Sequence, residues 1–350
     1  MTDTQTAAHQ TGMRLRELAF GAVTAAAVRA ALRLGVPDAL GENPETADTL
    51  AERTEVDPRS LRRLMRALAS HGIFVEQPDG RFAHNEMSRL LRADAPRSMR
   101  YVTLWATEPW TWQVWPMLDE AVRKGGSVFP DVHGKGFFDY LHEDAPESAE
   151  TFNRAMTQSS RQAAEDVADV LDLTGARSVA DIGGGQGLML ATLLERNPAL
   201  HGSLMDLPAV VAQADPRLRP GGALTDRATL VPGDCRDEIP IRADVYIVKN
   251  VLEWDDESTR RTLSNIVAAA ETGARVVVIE NLVDDSASQR FTTAMDLLLL
   301  LNVGGAKHTT DSMLTAMDRA GLITGDVHAV NPSLHMFDSV VAKPRGGSAG

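Results

Sequence analysis

The sequence predicts an α/β protein in two parts, a mostly helical N-terminal part and a C-terminal doubly wound parallel sheet. Three observations predict it. From about residue 176, short apolar runs alternate with helix-like segments. The first of these runs leads into Asp181-Ile182-Gly183-Gly184-Gly185-Gln186-Gly187, a glycine-rich turn between strand and helix. Upstream, residues 13–95 show helical spacing of apolar positions and then one hairpin pattern.

The first dozen residues and Gly346 to Gly350 are polar or glycine-rich and are expected to fray. Leu61, Leu64, Met65 and Leu68 follow the i, i+3, i+4, i+7 spacing of an amphipathic helix, and Asp57-Pro58 supplies its cap and first position. Residues 71–75 and 81–83 flank Pro78-Asp79-Gly80 and read as a hairpin. Helix, helix, hairpin is the order of a winged helix. Its second helix carries Arg59, Arg62, Arg63 and Arg66, which suggests DNA. The chain has 48 acidic and 35 basic residues and a net charge of −13, which opposes a phosphate backbone or an anionic membrane. A dimerisation or substrate-lid module is the better reading, with no nucleic acid and no membrane as partner.

Residues 96–175 read as helices and hold four of the five tryptophans: Trp105, Trp110, Trp112 and Trp115. Five strands are then expected, at 178–182, 203–206, 229–231, 244–248 and 275–280. Near-continuous apolar strands separated by helices mean a parallel sheet covered on both faces. Ligands of such a sheet lie beyond the carboxyl ends of its strands, near the switch in strand order.

Composition narrows the chemistry. A single cysteine, Cys235, excludes an intramolecular disulfide and a multi-thiolate metal site. His133, His142, His201, His328 and His335 lack metal-ligand spacing, so no metal is expected. The start has no signal-peptide pattern, and no apolar run reaches the roughly 18 residues of a membrane span. A cytoplasmic protein is expected.

The glycine turn permits close approach of a ligand to the backbone. Asp206, ending the second strand, suits ribose hydroxyls, and Asp234, after the third, suits an adenine amino group. With Asp206-Leu207-Pro208 and Gly233-Asp234, this turn resembles the class I S-adenosylmethionine-dependent methyltransferases. More closely, the chain is similar to the small-molecule O-methyltransferases of plant caffeate and bacterial polyketide or antibiotic metabolism. Pro109-Trp110-Thr111-Trp112, Phe152-Asn153-Arg154-Ala155-Met156, Lys249 and Gly304-Gly305 carry that resemblance over nearly the whole chain.

The resemblance implies a winged-helix-like dimerisation domain at 13–95. A helical linker at 96–175 would contribute to the substrate pocket, and a Rossmann-like domain at 176–343 would bind S-adenosyl-L-methionine and release S-adenosyl-L-homocysteine. It implies a homodimer. The cofactor-binding positions would be Asp181, Gly183, Gly185, Asp206, Leu207, Gly233, Asp234, Cys235, Lys249 and Asn250. Trp110, Trp112, Met156, Met295 and Asp296 would meet an aromatic small-molecule substrate.

The catalytic region departs from the family. Members carry Lys-x-x-Leu-His-Asp-Trp after the fourth strand, where the histidine takes the substrate's proton. This chain reads Lys249-Asn250-Val251-Leu252-Glu253-Trp254, one residue shorter and without the histidine. Glu253 stands either for the histidine or for the following aspartate. Of the two acids that flank the histidine, one is matched by Glu280 and the other is replaced by Lys307. A nearby ammonium keeps a carboxylate ionised, so Glu253, Glu280 and Lys307 form the expected catalytic group. A carboxylate is a weak base for a phenol but a good acceptor for an N–H or O–H that feeds an aromatic ring. The expected reaction is therefore methylation of an aromatic small molecule of secondary metabolism, leaning to carbon of an indole or activated phenol. Two alternatives stand beside it. One is O- or N-methylation with another base, such as His308. The other is a non-methylating reaction such as hydroxylation, known among relatives that lost the histidine.

Overall fold

A computed structural model describes residues 3–284 and 288–342. The chain divides into two compact units. One contains residues up to 112 together with 146–158, and the other contains 113–145 together with the chain from 159 onward. The helix Pro146–Val170 contributes its first half to one unit and its second half to the other.

In the first unit, helices Ala47–Thr54 and Pro58–Ser70 precede strands β1 (Val75–Glu76) and β2 (Phe82–Ala83). Thr46 and Asp57 cap the two helices by accepting from the amides of Thr49 and Ser60. The turn between the strands closes through Gly80, at φ 80°. Glu45 adds a single antiparallel bridge to Phe82 beside the two strands, and helix, helix, hairpin follow one another as in a winged helix. Leu61, Met65 and Leu68 join Leu50, Phe74 and Phe82 in one buried core. Arg66 forks onto Glu76 and Arg62 pairs with Asp48, so two of the four arginines are paired within the unit. The expectation of a frayed start is corrected: Asp3–Ala19 is a helix, consistent with its high share of Ala, Gln, Arg, Leu and Glu. Gly346 to Gly350 lie outside the described residues.

The second unit is built on a seven-stranded sheet: β3 (Ser178–Ile182), β4 (His201–Asp206), β5 (Ala228–Pro232), β6 (Val245–Lys249), β7 (Arg275–Glu280), β8 (Leu322–Asn331) and β9 (Leu334–Val341). The order is β5-β4-β3-β6-β7-β9-β8. The five expected strands are parallel, but β9 runs antiparallel to both β7 and β8. The sheet is therefore mixed, a difference from the all-parallel expectation. The last two strands carry no continuous apolar run. β8 is an edge strand largely open to solvent, with a bulge between Thr324 and Val327, and β9 alternates Met336 and Phe337 with His335 and Asp338.

Both sheet faces are covered. Ile247, Val277 and Ile279 pack with Leu190, Leu194 and Leu204 on one side, and Tyr246, Val248, Val276 and Val278 pack with Leu263, Ile266 and Phe337 on the other. The order reverses at β3, which pairs with β4 on one side and β6 on the other, and this opens a crevice at the carboxyl ends. Among the described residues no helix is long and apolar enough to cross a membrane.

Candidate active site

The glycine turn follows β3. Gly183 and Gly185 sit at φ 65° and 62°, backbone that a side chain rarely adopts. Gly184 is required for a second reason: a Cβ there would stand 2.5 Å from the Asp181 carboxylate. The Gly185 amide donates to Asp206 Oδ2 at 2.8 Å and the Leu207 amide to Oδ1 at 2.7 Å, which ties the ends of β3 and β4 together. Gly233 donates to the Asp206 carbonyl at 3.0 Å. Leu207 remains exposed.

The acids at the strand ends differ in electrostatic setting. Asp181 is 1% exposed and its Oδ2 has no hydrogen-bond partner among the described residues. Burial pushes its pKa up to about 7, with Lys249 opposing and Asp206 adding to the rise. Burial also raises Asp206, against the two amides that favour its charge. Asp234 is held below the usual range by the Arg236 guanidinium, which forks onto it and lies 5.2 Å from the Trp254 ring centre. Arg236 is a site residue that the motifs do not reveal. Its signal was the acid–x–Arg spacing within the turn after β5. Cys235 is buried in the core near Thr262, and burial pushes its thiol up to about 11, which leaves an unreactive thiol.

Lys249 ends β6. Burial depresses it, while Asp181, Glu280 and Glu253 favour its charge. Asn250 follows at φ 52°, with Oδ1 buried and without a partner among the described residues. Orphaned polar atoms on Asp181 and Asn250 beside a glycine cradle are what a polar, amine-bearing nucleoside ligand would satisfy, so the residues present fit S-adenosylmethionine.

Glu253, Glu280 and Lys307 come together, as expected from the sequence. Lys307 Nζ pairs with Glu253 Oε1, and the two side chains are only 5% and 9% exposed. Glu280 is 1% exposed. Its Oε1 accepts from the Leu252 amide at 3.3 Å, and its Oε2 has no partner among the described residues. Burial first, and the neighbouring Glu253 second, raise Glu280 well above the carboxylate range, with Lys307 opposing. The loop holding Lys307 is fixed by its own backbone. The Ala306 amide donates to the Glu253 carbonyl at 3.0 Å, and Gly305 leaves room for that contact, since a Cβ there would stand 2.1 Å from the same oxygen.

Other expected residues take more structural places. The Lys307 amide donates to Asp296 Oδ1 at 2.6 Å, so Asp296 anchors the loop with one oxygen. Met295 is its half-buried neighbour on the helix Gln289–Val303. In the first unit Trp110 is wholly buried, Trp112 is half-buried with its indole N–H donating to the Thr107 carbonyl at 3.1 Å, and Met156 is half-buried. His308 does not stand free as a substitute base. Its Nε2 lies 2.6 Å from the Leu252 carbonyl, which can only accept, and its Nδ1 faces Ser312 Oγ at 3.2 Å. A cleft of about 540 Å³ opens beside these groups, lined among others by Leu252, Trp254, Asp255, Thr259, Lys307 and His308. Among the described residues no group of three His, Cys, Asp or Glu gathers to hold a metal ion.

A glycine-cradled crevice at a parallel sheet's switch point, with acids ending successive strands, defines a class I S-adenosylmethionine-dependent methyltransferase. The chain belongs to the O-methyltransferase family: residues 115–322 match its O-methyltransferase domain and residues 16–94 its dimerisation domain. The mitomycin biosynthesis 6-O-methyltransferase of Streptomyces lavendulae is 38% identical, over 88% of each chain. The aclacinomycin 10-hydroxylase of Streptomyces purpurascens is 32% identical, over 90% of this chain and 86% of its own. Among solved structures, the mitomycin 7-O-methyltransferase superposes with a TM-score of 0.87 at 36% identity, covering 97% of this chain and 100% of that one. A methyltransferase of calicheamicin biosynthesis, solved with S-adenosylhomocysteine, gives 0.84 at 31% identity, covering 98% and 100%. The protein is an S-adenosylmethionine-dependent enzyme.

Proposed function

We propose that this enzyme methylates an aromatic small molecule of secondary metabolism, preferentially at a ring carbon of an indole or activated phenol. The observation that carries this reading is the buried ion pair between Lys307 and Glu253 of the segment after β6, a segment that lacks a histidine. S-adenosylmethionine supplies an electrophilic methyl group for direct displacement. Asp206 suits the ribose hydroxyls, Asp234 the adenine amino group, and Asp181 and Asn250 the amino-acid end. Gly183, Gly185, Leu207, Gly233, Cys235 and Lys249 complete the cofactor surface.

At the substrate, Glu253 accepts a ring N–H or O–H and so pushes electron density toward the ring carbon. A carboxylate already paired with an ammonium is a poor base for a phenol. It is an adequate acceptor for the much more acidic proton that a ring carbon sheds after gaining a methyl group. The carbon–sulfur bond breaks, a carbon–carbon bond forms, and one proton leaves through Glu253. Trp110, Trp112 and Met156 of the first unit, and Met295 of the second, are each of a type that suits an aromatic ring, flat or adaptable. The exposed Leu15, Leu18 and Phe20 of the N-terminal helices suit burial against a second copy in a homodimer.

Oxygen methylation is the second reading, favoured by the relative named a 6-O-methyltransferase. The test offers methyl-carbon-13-labelled S-adenosylmethionine with a panel of indoles, phenols and amines. A carbon-bound methyl in the product's NMR spectrum is expected. Products that are all methyl ethers would reverse the preference, and consumption of an aromatic substrate without label transfer would favour non-methylating chemistry.

A further inference from the structure

The turn after β5 is held from outside. Asn265, on the helix Asp256–Ala269, donates to the Cys235 carbonyl at 2.9 Å, and Arg261 of the same helix pairs with Asp237 at 2.8 Å. The Asp237 and Glu238 amides both donate to the Asp234 carbonyl, at 3.0 and 3.3 Å. The backbone around Asp234 is therefore fixed without help from the Arg236 side chain. What that side chain adds is the aim of one carboxylate.

Asp234 Oδ1 accepts from the Arg236 amide at 2.8 Å and from its Nε at 3.0 Å. Oδ2 accepts from Nη2 at 2.6 Å and shares the same Nε–H at 3.1 Å. A carboxylate oxygen offers about two lone-pair sites. Oδ1 is thus filled. Oδ2 has one strong bond and a weak shared one, so it holds the room left for an outside donor. The side chain is 22% exposed, which leaves it within reach of a ligand.

The guanidinium is itself held. Its central carbon lies 5.2 Å from the Trp254 ring centre, within cation–π range. Nearby acids are engaged elsewhere: Asp237 pairs with Arg261, and Asp255 accepts from the Ser258 amide and hydroxyl. A planar fork fixes the plane of a carboxylate, which a single ammonium does not.

We propose that Arg236 is a positioning residue for the cofactor's base: by forking onto Asp234 it aims the open site of Oδ2 at a 6-amino group and makes the pocket select adenine over hypoxanthine. This rests on the assignment of Asp234 to the adenine amino group, which the parent protein tests by itself. Hypoxanthine has a carbonyl oxygen in place of the amino group and a proton on N1. A fixed acceptor repels that oxygen, whereas a carboxylate free to turn can take the N1–H instead. Selectivity therefore depends on the fork as well as on the acid.

The readout is calorimetry of the full-length protein with S-adenosylhomocysteine and with its inosine analogue. The parent should bind the adenosine compound at least about tenfold more tightly, the scale of one hydrogen bond to a charged group. In Arg236→Met the two affinities should come within about twofold of each other, because the carboxylate is free to turn. Arg236→Lys keeps the charge without the fork, so it should recover affinity for both compounds but not their ratio. A general loss of packing would weaken both compounds alike and leave the ratio unchanged. A ratio unchanged in Arg236→Met therefore overturns the proposal, and so does a ratio restored by Arg236→Lys, since charge alone would then suffice. Should Arg236→Met bind neither compound, Arg236→Lys decides alone: a collapsed ratio supports the fork, and a parental one overturns it. Equal affinities in the parent would instead overturn the assignment of Asp234, and this proposal with it.

Discussion

Lys307 Nζ lies against Glu253 Oε1 across 54 residues of sequence, with both side chains more than nine-tenths buried. The loop that carries Lys307 is anchored through Asp296 and passes close to the Glu253 carbonyl at Gly305, and Lys307 lines the cleft beside Trp254. The partners of the ion pair come from two loops, the one after β6 and the one before Thr310. Glu253 and Lys307 therefore make physical sense only together.

The pair should show strong coupling in stability. Lys307→Met strands a buried carboxylate beside Glu280 and should cost about 3–5 kcal/mol in urea denaturation. Adding Glu253→Gln to it removes the stranded charge and should recover much of that loss. A coupling energy near zero in the double-mutant cycle would mean that water screens the pair. Glu253→Gln alone should lower kcat about a hundredfold or more if Glu253 takes the proton.

Product identity should follow the base. Glu253→His with Lys307→Glu would place a histidine, a better base for a phenol, beside two acids, Glu280 and the carboxylate newly placed at position 307. With a labelled methyl donor and a hydroxyindole, the double variant should give a larger share of methyl ether than the parent. An unchanged product ratio would mean that substrate placement decides the methylated atom, whatever the base.

Asp181 makes stability depend on pH. The folded protein keeps its proton up to about pH 7, whereas the unfolded chain releases it near 3.8, the ordinary value for an aspartate. The native state thus binds more protons across that window, so stability falls as pH rises from about 4 to about 7 and this contribution is flat above. Asp181→Asn should flatten the slope and raise the denaturation midpoint at pH 8. It should also weaken S-adenosylmethionine binding, which calorimetry checks. A parent and variant with parallel pH slopes would show that Asp181 ionises freely in the fold.

Much of this was legible in the sequence. Strands such as Arg275–Glu280 are nearly pure apolar runs, because burial on both faces leaves no polar position to blur the pattern. Asp206 and the glycine turn could be placed at strand ends for the same reason. β8 and β9 escaped because one is a solvent-exposed edge and the other alternates. The charge set at 253, 280 and 307 was readable by type, but its pairing was not. Nothing in the spacing said that Lys307 would reach Glu253, that Asp296 would turn to a backbone amide, or that a carbonyl would claim the His308 ring. Those choices depend on how two distant loops close on each other.

Two glycines should separate catalysis from cofactor binding. A Cβ at Gly305 would stand 2.1 Å from the Glu253 carbonyl and 2.2 Å from that of Trp254. Both neighbours are backbone, so no rotamer relieves the contact, and Gly305→Ala must push the Lys307 loop away from Glu253. A Cβ at Gly184 instead meets the Asp181 carboxylate at 2.5 Å and Leu204 at 2.6 Å, on the cofactor side. Gly305→Ala should therefore lower kcat by a factor of about a hundred, the scale of a misplacement near 1 Å, with S-adenosylmethionine affinity nearly unchanged. Gly184→Ala should weaken that affinity first. Gly221→Ala is the control: it has φ 84° but nothing within 4 Å of its Cβ, so it should cost about 1–2 kcal/mol of stability and leave both readouts alone. Loss of cofactor affinity in Gly305→Ala equal to that in Gly184→Ala would mean that the two loops move as one body, and the division between them would fall.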